Sequence, residues 1–138
     1  MAVPKGGADI SWFVSMANKS ITLAGVVASL KAIKKIGIAG ETITAGQTIY
    51  KDGVNSAKLK LADSNVAVRS QVAGIAPHGA SNNQPLSYAI EDPNFTPGCE
   101  VTIGEILVAS ATPGSIAPAA DLTTGDYPTV LGIGKSEP

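Results

Sequence analysis

Apolar and polar side chains alternate over short stretches of this chain, and glycine or proline separates one stretch from the next. Lys58-Leu59-Lys60-Leu61 alternates with a period of two, the spacing that places both leucines on one face of a β-strand. The chain is also rich in β-branched residues, which suit a pleated surface. We therefore predict short strands, in chain order Thr48–Lys51, Lys58–Leu61, Val66–Val68, Val72–Ala76, Leu86–Ile90, Val101–Ile103, Ile106–Ser110, Ile116–Pro118 and Tyr127–Ile133.

Glycines mark the predicted turns between these strands. Gly40 and Gly46 each follow an alanine, and Thr-Pro-Gly occurs at residues 96–98 and again at 112–114. Glycine at the third position of a turn accepts a positive φ, and proline at the second position presets φ. Such signals recur roughly every 8–12 residues, a spacing typical of sandwiches and barrels. The pattern predicts an all-β fold, specifically an antiparallel β-sandwich or jelly-roll-like barrel.

The segment from Ser20 to Lys35 is compatible with two structures. Leu23, Val26, Val27, Leu30 and Ile33 fall at helical spacing, but Gly25 would cost a helix interior about 1 kcal/mol relative to alanine. Its many β-branched residues favour strands, which is our prediction. The lysines at positions 31, 34 and 35 form either a solvated face or a basic contact patch.

A chain of 138 residues is long enough for one domain with a sizeable core. We expect an N-terminal arm over residues 1–19 and a single β domain over residues 20–138. The arm combines a polar, glycine-bearing start with the aromatic pair Trp12 and Phe13, which is either a core anchor or a docking surface.

Composition excludes several partners. The formal net charge of −1 gives no electrostatic reason to bind nucleic acid or an anionic membrane, and we predict neither. The longest charge-free apolar run near the N-terminus, between Lys19 and Lys31, is too short to span a bilayer. Because Cys99 is the only cysteine, no disulfide can form within the chain, which suits synthesis in a reducing cytoplasm.

Candidate chemistry is sparse. His78 is the only histidine, and its neighbours Pro77 and Gly79 indicate a turn at the surface. No Gly-x-Ser-x-Gly motif accompanies it, and a zinc site would have to combine it with Cys99 and carboxylates. We therefore predict that the protein is not an enzyme, with no catalytic residue, no cofactor and no metal site.

Several stretches together resemble the head decoration, or cement, proteins of tailed bacteriophages. The similarity covers residues 39–133 in a consistent order and rests on Ala39–Tyr50, Lys58–Asp63, Val72–Ala76, Val101–Gly104, Ser110–Leu122 and Thr124–Gly132. The chain departs from the family's pattern before Gly37, over Glu91–Pro97 and after Gly134. Each stretch alone indicates only a turn, whereas all of them in this order are specific to the family.

This resemblance implies a structural virion protein that is made in the bacterial host cytoplasm and binds the outer surface of the capsid. The major capsid protein would be its partner, and the protein would be a homo-oligomer, a dimer or a trimer. Candidate contact residues from the sequence are Trp12, Phe13, Lys31, Lys34 and Lys35. The alternative is a carbohydrate- or receptor-binding β-module, such as the base of a head fibre.

Overall fold

The computed structural model describes residues 18–135, which form ten short strands and two single-turn 3-10 helices at Leu23–Gly25 and Ala119–Asp121. The strands are β1 (Val26–Val27), β2 (Ile33–Ile38), β3 (Thr48–Asp52), β4 (Lys58–Leu61), β5 (Val72–Ile75), β6 (Pro85–Glu91), β7 (Thr96–Pro97), β8 (Ile106–Ala109), β9 (Ile116–Pro118) and β10 (Val130–Ile133). Strand accounts for 37% and helix for 5% of the described residues, so the all-β prediction is confirmed.

The ten strands form three sheets, and every strand pair is antiparallel. A five-stranded sheet has the order β2-β6-β5-β3-β4, a three-stranded sheet the order β10-β8-β9, and β1 pairs with β7. Among residues 18–135 the strands do not close into a barrel. Strands β2 and β4 are therefore the two edges of the largest sheet.

The five-stranded sheet curls until its two edges meet at one end. Just beyond β2, Ala39 forms a parallel bridge with Leu59 of β4, and the Gly40 N–H donates to the Leu59 carbonyl at 2.7 Å. Gly37 permits this approach, because a Cβ at that position would lie 2.9 Å from Leu59 Cδ1. The curled sheet thus encloses its own core.

That core is mostly aliphatic, in keeping with the low aromatic content. Its fully buried members come from three strands and from loops: Ala39, Ile43, Ile49, Leu59, Ala76, Leu86 and Tyr88. In β4, Leu59 is fully buried and Leu61 is half-buried against the same core, so the alternation in Lys58–Leu61 is confirmed.

The second Thr-Pro-Gly turn ties the two larger sheets together. The Ser115 N–H donates to the Thr112 carbonyl at 3.0 Å, and Gly114 has a φ of +79°, as predicted for this turn. Gly114 also accepts from the Thr48 N–H at 3.0 Å and donates to the Ala62 carbonyl at 2.8 Å. These two bonds connect the β8–β9 turn to the first residue of β3 and to the residue that follows β4.

Two predicted strands, residues 66–68 and 101–103, are absent because a local hydrogen bond takes precedence over strand pairing, and the predicted strand Tyr127–Ile133 begins only at Val130. Residues 66–68 form turns, since the Ser70 N–H donates to the Val66 carbonyl at 2.9 Å. Residues 101–103 enter a turn that closes from the Glu105 N–H to the Thr102 carbonyl at 3.0 Å. Gly46 has the predicted positive φ, +85°, but Gly40 does not.

The segment from Ser20 to Lys35 contains no α-helix. It holds the first 3-10 turn, then β1, then the start of β2. The preference for strands over a helix is therefore confirmed for Val26–Val27 and from Ile33 onward. The residues between them turn around Ser29, where the Ala32 N–H donates to the Ser29 carbonyl at 3.2 Å.

Candidate functional site

Exposed apolar and basic side chains occur together along the first edge of the large sheet. Strand β2 pairs with β6 on one side, and among the described residues its other side is an open sheet edge up to the bridge between Ala39 and Leu59 of β4. Leu30 is fully exposed and Ile36 is 77% exposed. We define the β2 edge surface as the exposed residues Leu30, Lys31, Ile33, Lys34, Lys35, Ile36 and Ile38.

Strand alternation explains why isoleucines face solvent here. A Cβ at Gly37 would contact Leu59 and Tyr88, so Gly37 faces the core. Successive side chains of a strand point to opposite faces. Ile36 and Ile38 therefore point away from the core, and their side chains are 77% and 41% exposed.

The turn before β2 is held by a carboxylate. Asp92 accepts from the Ser29 N–H at 2.7 Å and from the Ser29 hydroxyl, and it also accepts from the Asn94 N–H at 3.0 Å. Partial burial would raise the pKa of Asp92, but the bonds from Ser29, the Asn94 N–H and the charge of Lys135 outweigh it and lower that pKa. The carboxylate thus fixes the position of Leu30 and Lys31.

The three lysines predicted as contacts all belong to this surface. Lys31 lies in the turn, and Lys34 and Lys35 are neighbours on β2 that point to opposite faces of the sheet. Neither ion pair found in residues 18–135, Lys19–Glu105 or Lys60–Asp52, involves them. Their charges are therefore available to an acidic partner. The other two predicted contacts, Trp12 and Phe13, lie outside the described residues.

A groove of about 490 Å³ opens beside the start of β2. Ile33, Ile90 and Leu131 supply apolar walls, and Lys31, Glu91 and Asp92 supply charged ones. The groove adjoins the β2 edge surface, since Lys31 and Ile33 belong to both. A side chain of a partner that lies along β2 could therefore enter the groove.

A second, larger depression was not anticipated from the sequence. A cavity of about 890 Å³ lies between the β5–β6 part of the large sheet, the loop that carries β7, and the β8–β10 pair. Ile103 and Ile133 line it and remain 71% and 65% exposed. Because residues 101–103 are not a strand, Ile103 is left uncovered. The strand predicted for these residues gave no indication of an exposed side chain here.

Groups with possible chemistry are dispersed over the described part of the chain. His78 is exposed, and its Nδ1 lies 3.0 Å from the Gly79 carbonyl oxygen. Partial burial raises the pKa of the Cys99 thiol, with a smaller opposing effect of Lys19 and a raising effect of Glu105. Within residues 18–135, no three or more His, Cys, Asp or Glu side chains are grouped as a metal site would require.

No helix in residues 18–135 combines the length and hydropathy needed to cross a membrane. The β2 edge surface is the feature of the described chain that brings sequence-predicted contact residues together. Comparison with protein-family models, with curated proteins and with solved structures finds no match to this chain.

Proposed function

We propose that this protein is a capsid decoration protein that binds the outside of a phage head through the β2 edge surface and bridges major capsid protein subunits. The observation that carries the proposal is the open edge of β2, with exposed Leu30 and Ile36 beside unpaired lysines. The motif resemblance supports the choice of partner. The proposal includes a sandwich of jelly-roll type for the two larger sheets and the outer capsid surface as the site of action.

An open strand edge can bind an extended segment of another protein by adding a strand. The unpaired N–H and C=O groups of such an edge supply main-chain hydrogen bonds, while side-chain pockets supply specificity. The exposed isoleucines add apolar area, at about 25 cal/mol per Å² buried. The groove lined by Ile33, Ile90 and Leu131 provides a pocket beside this edge.

Charge selects an acidic stretch of capsid protein as the partner. Lys31, Lys34 and Lys35 concentrate three positive charges in five residues of a chain whose formal net charge is −1. Complementary charge speeds encounter and disfavours wrong partners more than it adds affinity. We therefore expect binding to weaken as salt concentration rises.

Reinforcement of the head would be mechanical. A subunit that touches two capsid proteins adds interface that must break before they separate, and even a micromolar contact corresponds to about 8 kcal/mol. A dimer or trimer of this chain would engage several sites at once, which raises the effective affinity further.

Co-sedimentation with purified undecorated heads tests the proposal. The unaltered protein should pellet with the heads, and a variant carrying Lys34→Glu and Lys35→Glu should pellet much less at low salt. Lys51→Glu is the matched control, because Lys51 is an exposed lysine of β3 outside the β2 edge surface. Heads to which the protein is added should also burst at a higher temperature than bare heads.

Failure of the unaltered protein to bind heads would contradict the proposed function, and binding to a glycan array instead would favour the carbohydrate-binding alternative. Equal loss of binding in Lys51→Glu and in the double variant would keep the partner but reject the β2 edge surface as the contact.

A further inference from the structure

We propose that the β2 edge surface binds one strand of about five residues from an acidic partner, antiparallel to β2 and paired through the main-chain groups of Lys34 and Ile36. Read from its N-terminus, the segment that fits carries an apolar residue followed by two acidic ones. This pairing rests on the proposed function for its location, and it specifies the direction, length and sequence of the segment that binds there.

The main-chain groups of Lys34 and Ile36 point out of the sheet edge. In a strand, the N–H and C=O groups of successive residues point alternately towards one neighbouring strand and away from it. Just after β2, the Ala39 N–H donates to the Gln84 carbonyl at 2.9 Å, on the β6 side. The β2–β6 register is regular from Lys34 to Ile38. Counting back from Ala39 therefore directs the groups of Ile36 and Lys34 away from β6.

Pro85 supports the same assignment independently. It is registered with Ile38 and has no N–H to donate. The pair loses no hydrogen bond if the main-chain groups of Ile38 point away from β6. Ile36 and Lys34, two and four residues earlier, then point to the same outer side.

The open part of this edge is short, and the opposite edge of the sheet is closed. Beyond β2, the Gly40 N–H donates to the Leu59 carbonyl at 2.7 Å, so β4 occupies the adjacent row from there on. Residues 33–37 therefore leave a slot of about 17 Å, at about 3.4 Å per residue. On β4, the Leu61 N–H donates to Glu41 Oε2 at 2.9 Å. A partner strand is thus expected at β2 and not at β4.

A second copy of this chain fits the slot poorly. To pair Lys34 and Ile36 with the same two residues of another β2, each Lys34 must lie opposite an Ile36 in an antiparallel register. That register sets the two Lys35 side chains directly opposite each other, and like charges in such positions are destabilising. Lysine on an edge strand is a common means of preventing self-pairing. The same charges favour an acidic partner, since neither ion pair in residues 18–135 uses them.

The order of side chains in β2 sets the order in the partner. Residues directly opposite each other in an antiparallel pair lie on the same face, within about 4.5–5.5 Å. Acidic residues therefore fit opposite Lys34 and Lys35, and an apolar residue fits opposite the exposed Ile36. Antiparallel pairing is the more stable arrangement per residue. In that direction, the partner reads apolar, acidic, acidic.

Titration of the full chain, labelled with ¹⁵N, by the blocked peptide Thr-Val-Glu-Glu-Thr tests this pairing. The reversed peptide Thr-Glu-Glu-Val-Thr is the matched control, because it has the same composition and charge. It should bind about fivefold more weakly, since it sets valine opposite Lys34 and glutamate opposite Ile36. Binding of the first peptide should weaken as salt concentration rises.

Substitution of the lysines tests the charge requirement. A variant carrying Lys34→Glu and Lys35→Glu should bind the first peptide at least about tenfold more weakly, because like charges would then face each other. Lys51→Glu, at an exposed position of β3, should bind it as the unaltered protein does. The amide spectrum itself shows whether each variant is folded.

Amide exchange separates main-chain pairing from a contact through charge alone. When nine-tenths of the protein is bound, the amides of Lys34 and Ile36 should exchange about tenfold more slowly, because only the unbound tenth exchanges. The amides of Lys35 and Gly37 already point towards β6 and should change little.

Four results would overturn this pairing: no binding of either peptide, equal or tighter binding of the reversed peptide, slowed exchange at Lys35 and Gly37 in place of Lys34 and Ile36, or exchange at Lys34 and Ile36 that depends on dilution of the free protein. The last result would assign the edge to a second copy. Peptide binding as expected, together with failure to co-sediment with heads, would support the pairing and reject the capsid as the partner. Head binding without peptide binding would do the reverse.

Discussion

Gly74 is the position where one added methyl group tests the pairing of the two central strands of the large sheet. A Cβ built there would lie 2.3 Å from the Ala89 carbonyl oxygen and 2.9 Å from Tyr88 Cδ2. Ordinary contact begins at 3.4 Å, so Gly74→Ala requires β5 and β6 to move apart by about 1.1 Å. The atom in the way belongs to backbone, which cannot move aside as a side-chain tip can.

The cost follows from what that shift breaks. Strand β5 is registered with β6 at Ile75 and Ala89 alone, so a displacement of about 1 Å removes their pairing. Overpacking of this kind typically costs about 1–3 kcal/mol, and each lost backbone hydrogen bond about another 0.5–1.5 kcal/mol. We expect Gly74→Ala to lower the free energy of unfolding by about 2–4 kcal/mol.

Urea unfolding followed by far-UV circular dichroism measures this change. Gly53→Ala is the matched control, because a Cβ there meets nothing within 4 Å and its φ is not positive. That control should be neutral or stabilising by up to about 1 kcal/mol. If both variants unfold at the same urea concentration as the unaltered protein, β5 and β6 do not approach each other as described.

Three further substitutions probe the core and the turn before β2. Leu59→Ala should cost about 2–5 kcal/mol, while Leu30→Ala should stay within about 0.5 kcal/mol, because only Leu59 is buried; equal urea midpoints would contradict this. Thr48→Val should be neutral or stabilising by about 1 kcal/mol in thermal unfolding, since the buried Thr48 hydroxyl has no hydrogen-bond partner among the described residues; a loss above about 1 kcal/mol would show a partner. Asp92→Asn should cost about 1 kcal/mol at pH 7 by urea unfolding, after allowance for solvent screening of a partly exposed group. Because the folded pKa of Asp92 lies below 3.8, this contribution is present above that pH and lost as the pH falls through the folded pKa; a difference that does not decline as the pH is lowered below 3.8 would show that the charge is not its source.

The alternation of apolar and polar residues predicted strands correctly where no local hydrogen bond competes with strand pairing. Lys58–Leu61 forms a strand because its leucines have a core to face and its lysines have solvent. Residues 66–68 include two β-branched valines, but Ser70 closes turns over them with both its N–H and its hydroxyl. Strand propensity alone does not account for this competition between local turn bonds and strand pairing.

The candidate site was predicted in composition but not in position. Lys31, Lys34 and Lys35 were identified as a possible patch, yet nothing in the sequence shows that β2 is a sheet edge. Edge position depends on which strands pair across long separations, as β2 does with β6. The cavity was missed for a related reason, since its walls come from β5, β8 and β10, which are distant in the chain.

The central claim, that the β2 edge surface contacts the capsid, is tested most directly by hydrogen exchange on free protein and on decorated heads. Backbone amides of residues 30–38 should exchange more slowly on heads, because a partner strand would pair with the open edge of β2. Those of Lys58–Leu61 provide the internal comparison, since β4 is the other edge of the same sheet, and they should exchange at unchanged rates. Slower exchange at β4 with no change over residues 30–38 would contradict the claim.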